Sequence, residues 1–100
     1  GIHLLHAIPN GGHRGKRTAG HLQAEGVKAG VSDLFLPVAR RDYHGLFIEL
    51  KRIGGKKPTP AQVQFQKDVI AQGYCAQTCY GAEQAIALLC WYYGVSENWR

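Results

Sequence analysis

The sequence has 100 residues, of which 45% are hydrophobic and 19% charged, as in one globular domain. This composition excludes a disordered chain, and no run approaches the ~20 apolar residues of a membrane-spanning helix. Twelve Lys and Arg against seven Asp and Glu give a net charge of +5, which favours a polyanionic partner such as nucleic acid. A basic, well-solvated surface explains the charge about equally well. The sequence shows no export signal, so a cytoplasmic protein is expected.

The first third of the chain is predicted to contain a strand, a loop and a short helix. The segment "IHLLHAIP" (2–9) has the composition of a strand that Pro9 ends. The segment "NGGHRG" (10–15) has the composition of a loop, and its glycines allow a ligand to approach the backbone closely. The segment "KRTAGHLQAEG" (16–26) follows as a short helix that ends at Gly26.

Two strands in the middle of the chain are predicted to form a hairpin. They are "DLFLPV" (33–38) and "LFIELKR" (46–52), and the polar turn "ARRDYHG" (39–45) separates them. Because the connection is short and polar, the strands are expected to lie side by side.

The second half of the chain is predicted to contain a helix, a strand and a helix. After a basic, glycine-rich loop, Thr59 is a suitable N-cap and Pro60 a suitable first residue for a helix that continues through "AQVQFQKDVIAQ" (61–72). The segment "YCAQTCY" (74–80) is the next predicted strand, and "GAEQAIALLCWYY" (81–93) is the last predicted helix.

The predicted elements follow the order β-α-β-β-α-β-α. This order predicts an α/β fold in which a mixed central sheet is flanked by helices. Because the length is that of one domain, a single unit over residues 1–100 is expected.

Charged side chains lie within the strands of the predicted hairpin. Side chains alternate along a strand, so Phe47, Glu49 and Lys51 share one face. Asp33 begins the preceding strand on the corresponding face, so the two acids converge across the hairpin. The remaining acids fall in predicted loops or on helix faces that solvent reaches: Glu25, Asp42, Asp68, Glu83 and Glu97.

The pair of Asp33 and Glu49 has two interpretations. Adjacent carboxylates repel each other unless a cation intervenes, and a hard divalent ion, Mg²⁺ or Mn²⁺, suits oxygen ligands. Lys51 beside such an ion would stabilise the charge that develops during phosphodiester hydrolysis. The alternative is a buried salt bridge between Lys51 and one of the acids, which the spacing alone slightly favours.

The sequence resembles the VRR-NUC branch of the PD-(D/E)xK nucleases in the pattern "GVKAGVSDLFLPV … GLFIELKRIGGKKPTPAQVQFQ" (26–38 and 45–66). The similarity extends from "HAIPNGGHR" (6–14) through "AEQAIALL" (82–89), in the order and spacing of the family. The resemblance implies a restriction-endonuclease-like core and a small stand-alone nuclease of the type found in phages.

The resemblance also implies which residues form the site. Asp33 and Glu49 would be ligands of Mg²⁺ or Mn²⁺, together with the backbone carbonyl of Leu50. Lys51 would be the catalytic lysine. Gln62 would orient the water, the lysine or the substrate strand.

Two features depart from the family pattern. Ser32 stands where the family has proline, which affects the positioning of Asp33 more than its role. Family members commonly supply a further acid from a preceding helix, and this sequence begins at Gly1 without one. Either the chain was trimmed or water replaces a protein ligand.

Two groups of residues are candidates for contact with DNA. The first is a loop that would follow the DNA backbone, although its glycines equally suit a simple turn: Asn10, Gly11, Gly12, His13 and Arg14. The second group is expected to flank the site and contact phosphates: Arg40, Arg41, Lys56 and Lys57.

The resemblance implies a metal-dependent endonuclease acting on DNA, with four-way junctions as the favoured substrate. A homodimer would place two active centres on opposed strands of such a junction. Two alternatives remain open, namely a catalytically silent DNA-binding module of the same fold and a restriction-type nuclease that recognises a short sequence.

Overall fold

The computed structural model describes residues 1–9 and 28–97. The predicted loop at 10–15 and the predicted helix at 16–26 lie outside the described residues, as do the proposed DNA contacts from Asn10 to Arg14. Within the described residues, no helix is both long enough and apolar enough to cross a membrane.

Four strands form one mixed sheet in the described part of the chain: β1 (His6–Ala7), β2 (Leu34–Leu36), β3 (Leu46–Lys51) and β4 (Cys75–Tyr80). Their order across the sheet is β1-β2-β3-β4, with β1 and β2 antiparallel, β2 and β3 antiparallel, and β3 and β4 parallel. The predicted α/β class with a mixed central sheet is confirmed.

The strand predicted at 2–9 is mostly wrong. Ile2–Leu4 form a 3₁₀ turn, which the hydrogen bond from the Leu4 N–H to the Gly1 carbonyl closes. Only two residues of the segment pair with β2. The physical reason is that β2 is three residues long and offers little backbone for pairing, so a local turn satisfies the backbone of the preceding segment.

Two helices lie in the second half of the chain. Helix α1 spans Pro60–Ala71, and Thr59 is its N-cap as predicted. Helix α2 spans Ala82–Tyr93 and follows β4 directly. Helix α1 packs on the sheet through Phe65, whose ring lies edge-on against the β3 ring of Phe47.

The core lies between the sheet and α2. Leu36, Leu46 and Ile48 are fully buried there together with Tyr92 of α2. Leu50, on the same face of β3, is 40% exposed. The pairing of β3 with β2 ends at Ile48, so Leu50 lies beyond the last residue of β2 and has no residue of that strand beside it.

A buried hydroxyl of α2 supports the hairpin. The Tyr92 hydroxyl donates a hydrogen bond of 2.6 Å to the Val38 carbonyl, whereas the nearby buried Tyr93 hydroxyl has no hydrogen-bond partner among the described residues. We expect Tyr92→Phe to lower the free energy of unfolding by about 1–2 kcal/mol, because the Val38 carbonyl then stays buried without a donor. Tyr93→Phe is the matched control and should change stability by less than about 0.5 kcal/mol.

Urea unfolding of both variants gives the comparison. Equal losses of stability in the two variants would contradict the assignment of the Tyr92 hydrogen bond as the stabilising one.

Candidate active site

Asp33 and Glu49 lie opposite each other across the hairpin. The antiparallel register pairs Phe35 with Phe47. Asp33 lies two positions before Phe35 and Glu49 two positions after Phe47, so these two acids are also opposed and share the face of the two rings. The two rings stack at a centroid distance of 4.4 Å, and the Asp33 carboxyl group is close enough to Glu49 to contribute to raising its pKa. The structure therefore brings together the acids that the sequence placed on one face.

The environment of Glu49 strongly favours its neutral form. The residue is only 4% exposed, and this burial is the largest of the effects that together raise the pKa of its carboxyl group to about 7. Hydrogen bonding and charge interaction with Asp33 contribute to this rise in pKa, while the Lys51 ammonium opposes it. Near neutral pH the Glu49 carboxyl group is therefore protonated in a substantial fraction of the molecules.

The Lys51 ammonium lies beside the Glu49 carboxyl group. Its Nζ lies 3.9 Å from Glu49 Oε2 and donates a shorter hydrogen bond of 2.9 Å to Gln62 Oε1. Gln62 Nε2 in turn donates to Glu49 Oε2 at 3.3 Å. The alternative salt bridge is therefore present as a loose ion pair between Lys51 and Glu49. The Gln62 amide is hydrogen-bonded to both residues of this pair.

Helix capping holds the Gln62 amide in place. The Thr59 side chain accepts a hydrogen bond from the Gln62 N–H at 3.2 Å, and Gln62 Oε1 accepts one from the Thr59 N–H at 2.9 Å. This is a capping box at the start of α1. The same Gln62 oxygen therefore caps the helix and receives the Lys51 ammonium.

Given the nuclease activity that the family resemblance implies, Gln62→Ala is expected to reduce DNA cleavage about ten- to a hundredfold, because the Lys51 ammonium loses its nearest acceptor. The variant should also lose about 1 kcal/mol of stability with the capping box. Gln64→Ala is the matched control, since Gln64 is exposed and its amide bonds Asp68 on the same helix. Cleavage rates and thermal melting of both variants test this, and equal cleavage by Gln62→Ala and wild type would contradict it.

The residues at this site fit a hard divalent ion. Glu49 Oε1 is buried and receives no hydrogen bond from an amide, ammonium or alcohol group among the described residues. The Leu50 N–H donates to Asp33 Oδ2 at 2.7 Å, so the Leu50 backbone faces Asp33. The N–H and C=O of one strand residue point to the same side, so the Leu50 carbonyl points to the β2 side of β3 as well.

The Lys51 carbonyl points to the opposite side of β3 from the Leu50 carbonyl, since it accepts a hydrogen bond from the Gly81 N–H on the β4 side. This alternation is the one expected along a strand. Two carboxylates and one carbonyl are oxygen ligands of the kind that Mg²⁺ binds together with several waters. Across residues 1–9 and 28–97, no group of three or more His, Cys, Asp or Glu side chains could hold a metal ion. Within the described residues, no third side chain of these four types therefore joins Asp33 and Glu49.

The four basic residues expected to flank the site lie at two different places. Lys56 and Lys57 are exposed in the loop between β3 and α1, beside Lys51. Arg40 and Arg41 lie in the turn at the other end of the hairpin, roughly 16 Å away along β3 at ~3.3 Å per residue. The expectation that these arginines flank the site is therefore wrong, and their contacts with DNA stay predictions.

The arginines of the turn contact helix α2. Arg41 Nε donates to the Trp91 carbonyl at 2.6 Å, and its guanidinium lies 4.5 Å from the centroid of the Trp91 ring. Arg40 lies 5.1 Å from the centroid of the Tyr93 ring. Both arginines therefore attach the hairpin turn to the last turn of α2.

Sequence reasoning missed Tyr80, which lies beside the site. The parallel register of β3 and β4 pairs Tyr80 with Lys51 on the same face of the sheet. The Tyr80 hydroxyl donates to the Lys56 carbonyl at 3.2 Å and so holds the basic loop. The local sequence pattern carried no signal for this residue, because it does not reveal which strand lies beside β3.

The fold and the site together define an α/β protein of the PD-(D/E)xK nuclease type. The fold is similar to a solved structure described as "VRR_NUC domain protein", with a TM-score of 0.81 and 33% sequence identity. The similarity covers 95% of this chain and 71% of the other. The chain therefore belongs to the VRR-NUC family. No protein-family model matches the sequence, and no curated protein does so either.

Proposed function

We propose that the protein is a metal-dependent endonuclease that hydrolyses phosphodiester bonds in DNA. Membership of the VRR-NUC family supports a nuclease-type function. The observation that carries the proposal is the meeting of Asp33, Glu49 and Lys51 on one face, with the Lys51 ammonium 3.9 Å from the Glu49 carboxyl group.

Asp33, Glu49 and the Leu50 carbonyl would hold Mg²⁺ or Mn²⁺. When bound, such an ion polarises the phosphate and lowers the pKa of a bound water. Lys51 supplies a positive charge that stabilises the negative charge developing on the phosphate oxygens. Gln62 holds the lysine in this position through a hydrogen bond of 2.9 Å and thereby fixes its direction before substrate binds.

The resemblance to the family leads us to propose branched DNA, and four-way junctions in particular, as the substrate. A homodimer with two-fold symmetry would set two active centres against opposed strands. Lys56 and Lys57, exposed beside the site, would contact the DNA backbone and make binding dependent on salt. We place this activity in the cytoplasm of a bacterium or of a phage-infected cell.

Incubation with a labelled four-way junction and with linear duplexes of the same arm sequences tests the proposal. We expect cuts near the branch point in Mg²⁺ or Mn²⁺ and none in EDTA. Discrete fragments from linear duplex would instead indicate a restriction-type enzyme. Binding without cleavage in either metal would indicate a silent DNA-binding module and overturn the proposal.

A further inference from the structure

The loop between β3 and α1 exposes an isoleucine beside the catalytic lysine. Ile53 is 80% exposed, more than any other large hydrophobic residue that is exposed in the described chain. It lies two positions after Lys51, and three cations share its loop: Arg52, Lys56 and Lys57. An apolar side chain is thus displayed among positive charges at the edge of the proposed active site.

The loop has a defined turn geometry. The Gly55 N–H donates to the Arg52 carbonyl at 2.8 Å, which closes a β-turn with Ile53 and Gly54 at its centre. Gly54 has φ +75°, the left-handed conformation that the third position of a type II turn requires. Ile53 is therefore at the corner of the turn, where most of its side chain is exposed.

Contacts with β4 and its end hold this turn in place. The Tyr80 hydroxyl donates to the Lys56 carbonyl at 3.2 Å, and the Gly81 N–H donates to the Lys51 carbonyl at 2.8 Å. A Cβ atom on Gly81 would lie 2.7 Å from Ile53 Cγ1, so the glycine leaves room for the isoleucine. The exposed side chain therefore stands on a supported loop.

We propose that Ile53 inserts between adjacent bases of the bound DNA and unstacks them next to the bond that is cut. This inference rests on the proposed nuclease function and adds a contact by which the protein would hold its DNA substrate. Apolar side chains that enter a base step in this way distort or kink DNA, and neighbouring cations neutralise the phosphates on either side. Branched DNA suits such a wedge because its bases at the branch point are less firmly stacked.

The charges around Ile53 favour nucleic acid over a protein as the group that covers it. Its loop neighbours are cationic and the chain carries a net charge of +5. A hydrophobic protein interface needs a contiguous apolar patch, whereas a base step accepts a single side chain.

Four-way junctions that carry 2-aminopurine at the branch point test this inference, because 2-aminopurine fluoresces more strongly when it is unstacked. Binding is measured in EDTA, so the signal does not depend on cleavage. We expect wild type to raise the fluorescence severalfold. Ile53→Ala should lose most of this rise and bind the junction about tenfold more weakly, whereas Ile53→Leu should restore both.

Ile70→Ala is the matched control, since Ile70 is 51% exposed on α1, and it should behave as wild type does. An undiminished fluorescence rise with Ile53→Ala, or an equal loss with Ile70→Ala, would overturn the wedge. Junction cleavage measured separately in Mn²⁺ reports on the nuclease proposal. Wild-type cleavage without a fluorescence rise would reject the wedge alone, and a fluorescence rise lost with Ile53→Ala but without any cleavage would reject the nuclease alone.

Discussion

Replacing Lys51 with alanine is expected to reduce DNA cleavage by about 10³-fold, because a preorganised positive charge that stabilises the transition state is typically responsible for this much of the rate. Lys51 is only 18% exposed and is held by Gln62 at 2.9 Å, so its charge acts in a partly desolvated place. The measurement is the single-turnover cleavage rate of a junction in Mn²⁺, with DNA binding measured in parallel.

Two companion variants make this experiment specific. Lys67→Ala removes an exposed lysine from α1 and should leave the rate within about twofold of wild type, as for a surface change away from the site. Lys51→Arg keeps the charge but brings a larger, planar group, so it should recover only part of the rate. Full activity of Lys51→Ala would remove the lysine from the mechanism.

Replacing Glu49 with glutamine is expected to stabilise the metal-free protein at alkaline pH while abolishing cleavage. The pKa of the Glu49 carboxyl is about 7 in the folded protein, against an ordinary value of 4.5. Between these pH values the folded state keeps a proton that the unfolded state releases, so the free energy of unfolding falls as the pH rises. The favourable contribution is complete below pH 4.5 and is lost once the pH passes about 7.

The expected size of the effect follows from the same pKa values. The gap between 4.5 and about 7 corresponds to at most about 3 kcal/mol, and relaxation around the carboxyl group will reduce it. At pH 8 without metal, Glu49→Gln should therefore unfold with a free energy about 1–3 kcal/mol above that of wild type. At pH 4 the variant should show no such advantage.

Addition of Mn²⁺ should reverse the order of stability at pH 8. Wild type should gain stability because binding to the folded state shifts the equilibrium, whereas Glu49→Gln lacks one of the two carboxylates and should gain little. Asp68→Asn, which removes an exposed acid of α1, is the control and should respond to Mn²⁺ as wild type does. Urea unfolding at pH 4 and pH 8 gives all values, and a pH-independent difference between Glu49→Gln and wild type would contradict the assignment.

The alternation of side chains in β3 was enough to predict which charged residues share a face. Glu49 and Lys51 lie two apart in a strand whose other face is buried through Leu46 and Ile48, and the structure has the same arrangement. Local chemistry likewise predicted the start of α1, because Thr59 and Pro60 are an N-cap and a first helical residue by type. These features depend on neighbours along the chain.

Features that depend on contacts between residues distant in the sequence could not be predicted from local sequence patterns. The strand predicted at 2–9 failed because its length depends on β2, which has only three residues. The place of Tyr80 beside Lys51 depends on the parallel pairing of β4 with β3. The cap of α1 was predicted, but the role of its Gln62 oxygen as an acceptor for Lys51 requires the packing of α1 on the sheet.

The error in placing Arg40 and Arg41 has a simpler cause. Both arginines lie close in sequence to the hairpin strands, because they belong to the turn that joins β2 to β3. The first strand starts, and the second strand ends, at the opposite end of the hairpin from this turn. Asp33 and Lys51 lie at that other end. Attention to the direction of the two strands would have separated the arginines from the acids.

The shared Gln62 oxygen couples the first turn of α1 to the position of Lys51 in the proposed active site. Fraying at the amino end of α1 releases the Thr59 N–H and the Lys51 ammonium in a single event, because both donate to that oxygen at 2.9 Å. Moderate warming should therefore abolish the proposed DNA cleavage at a temperature below that at which the sheet unfolds. Amide hydrogen exchange should report faster opening at Gln62 than in β3 over the same temperature interval.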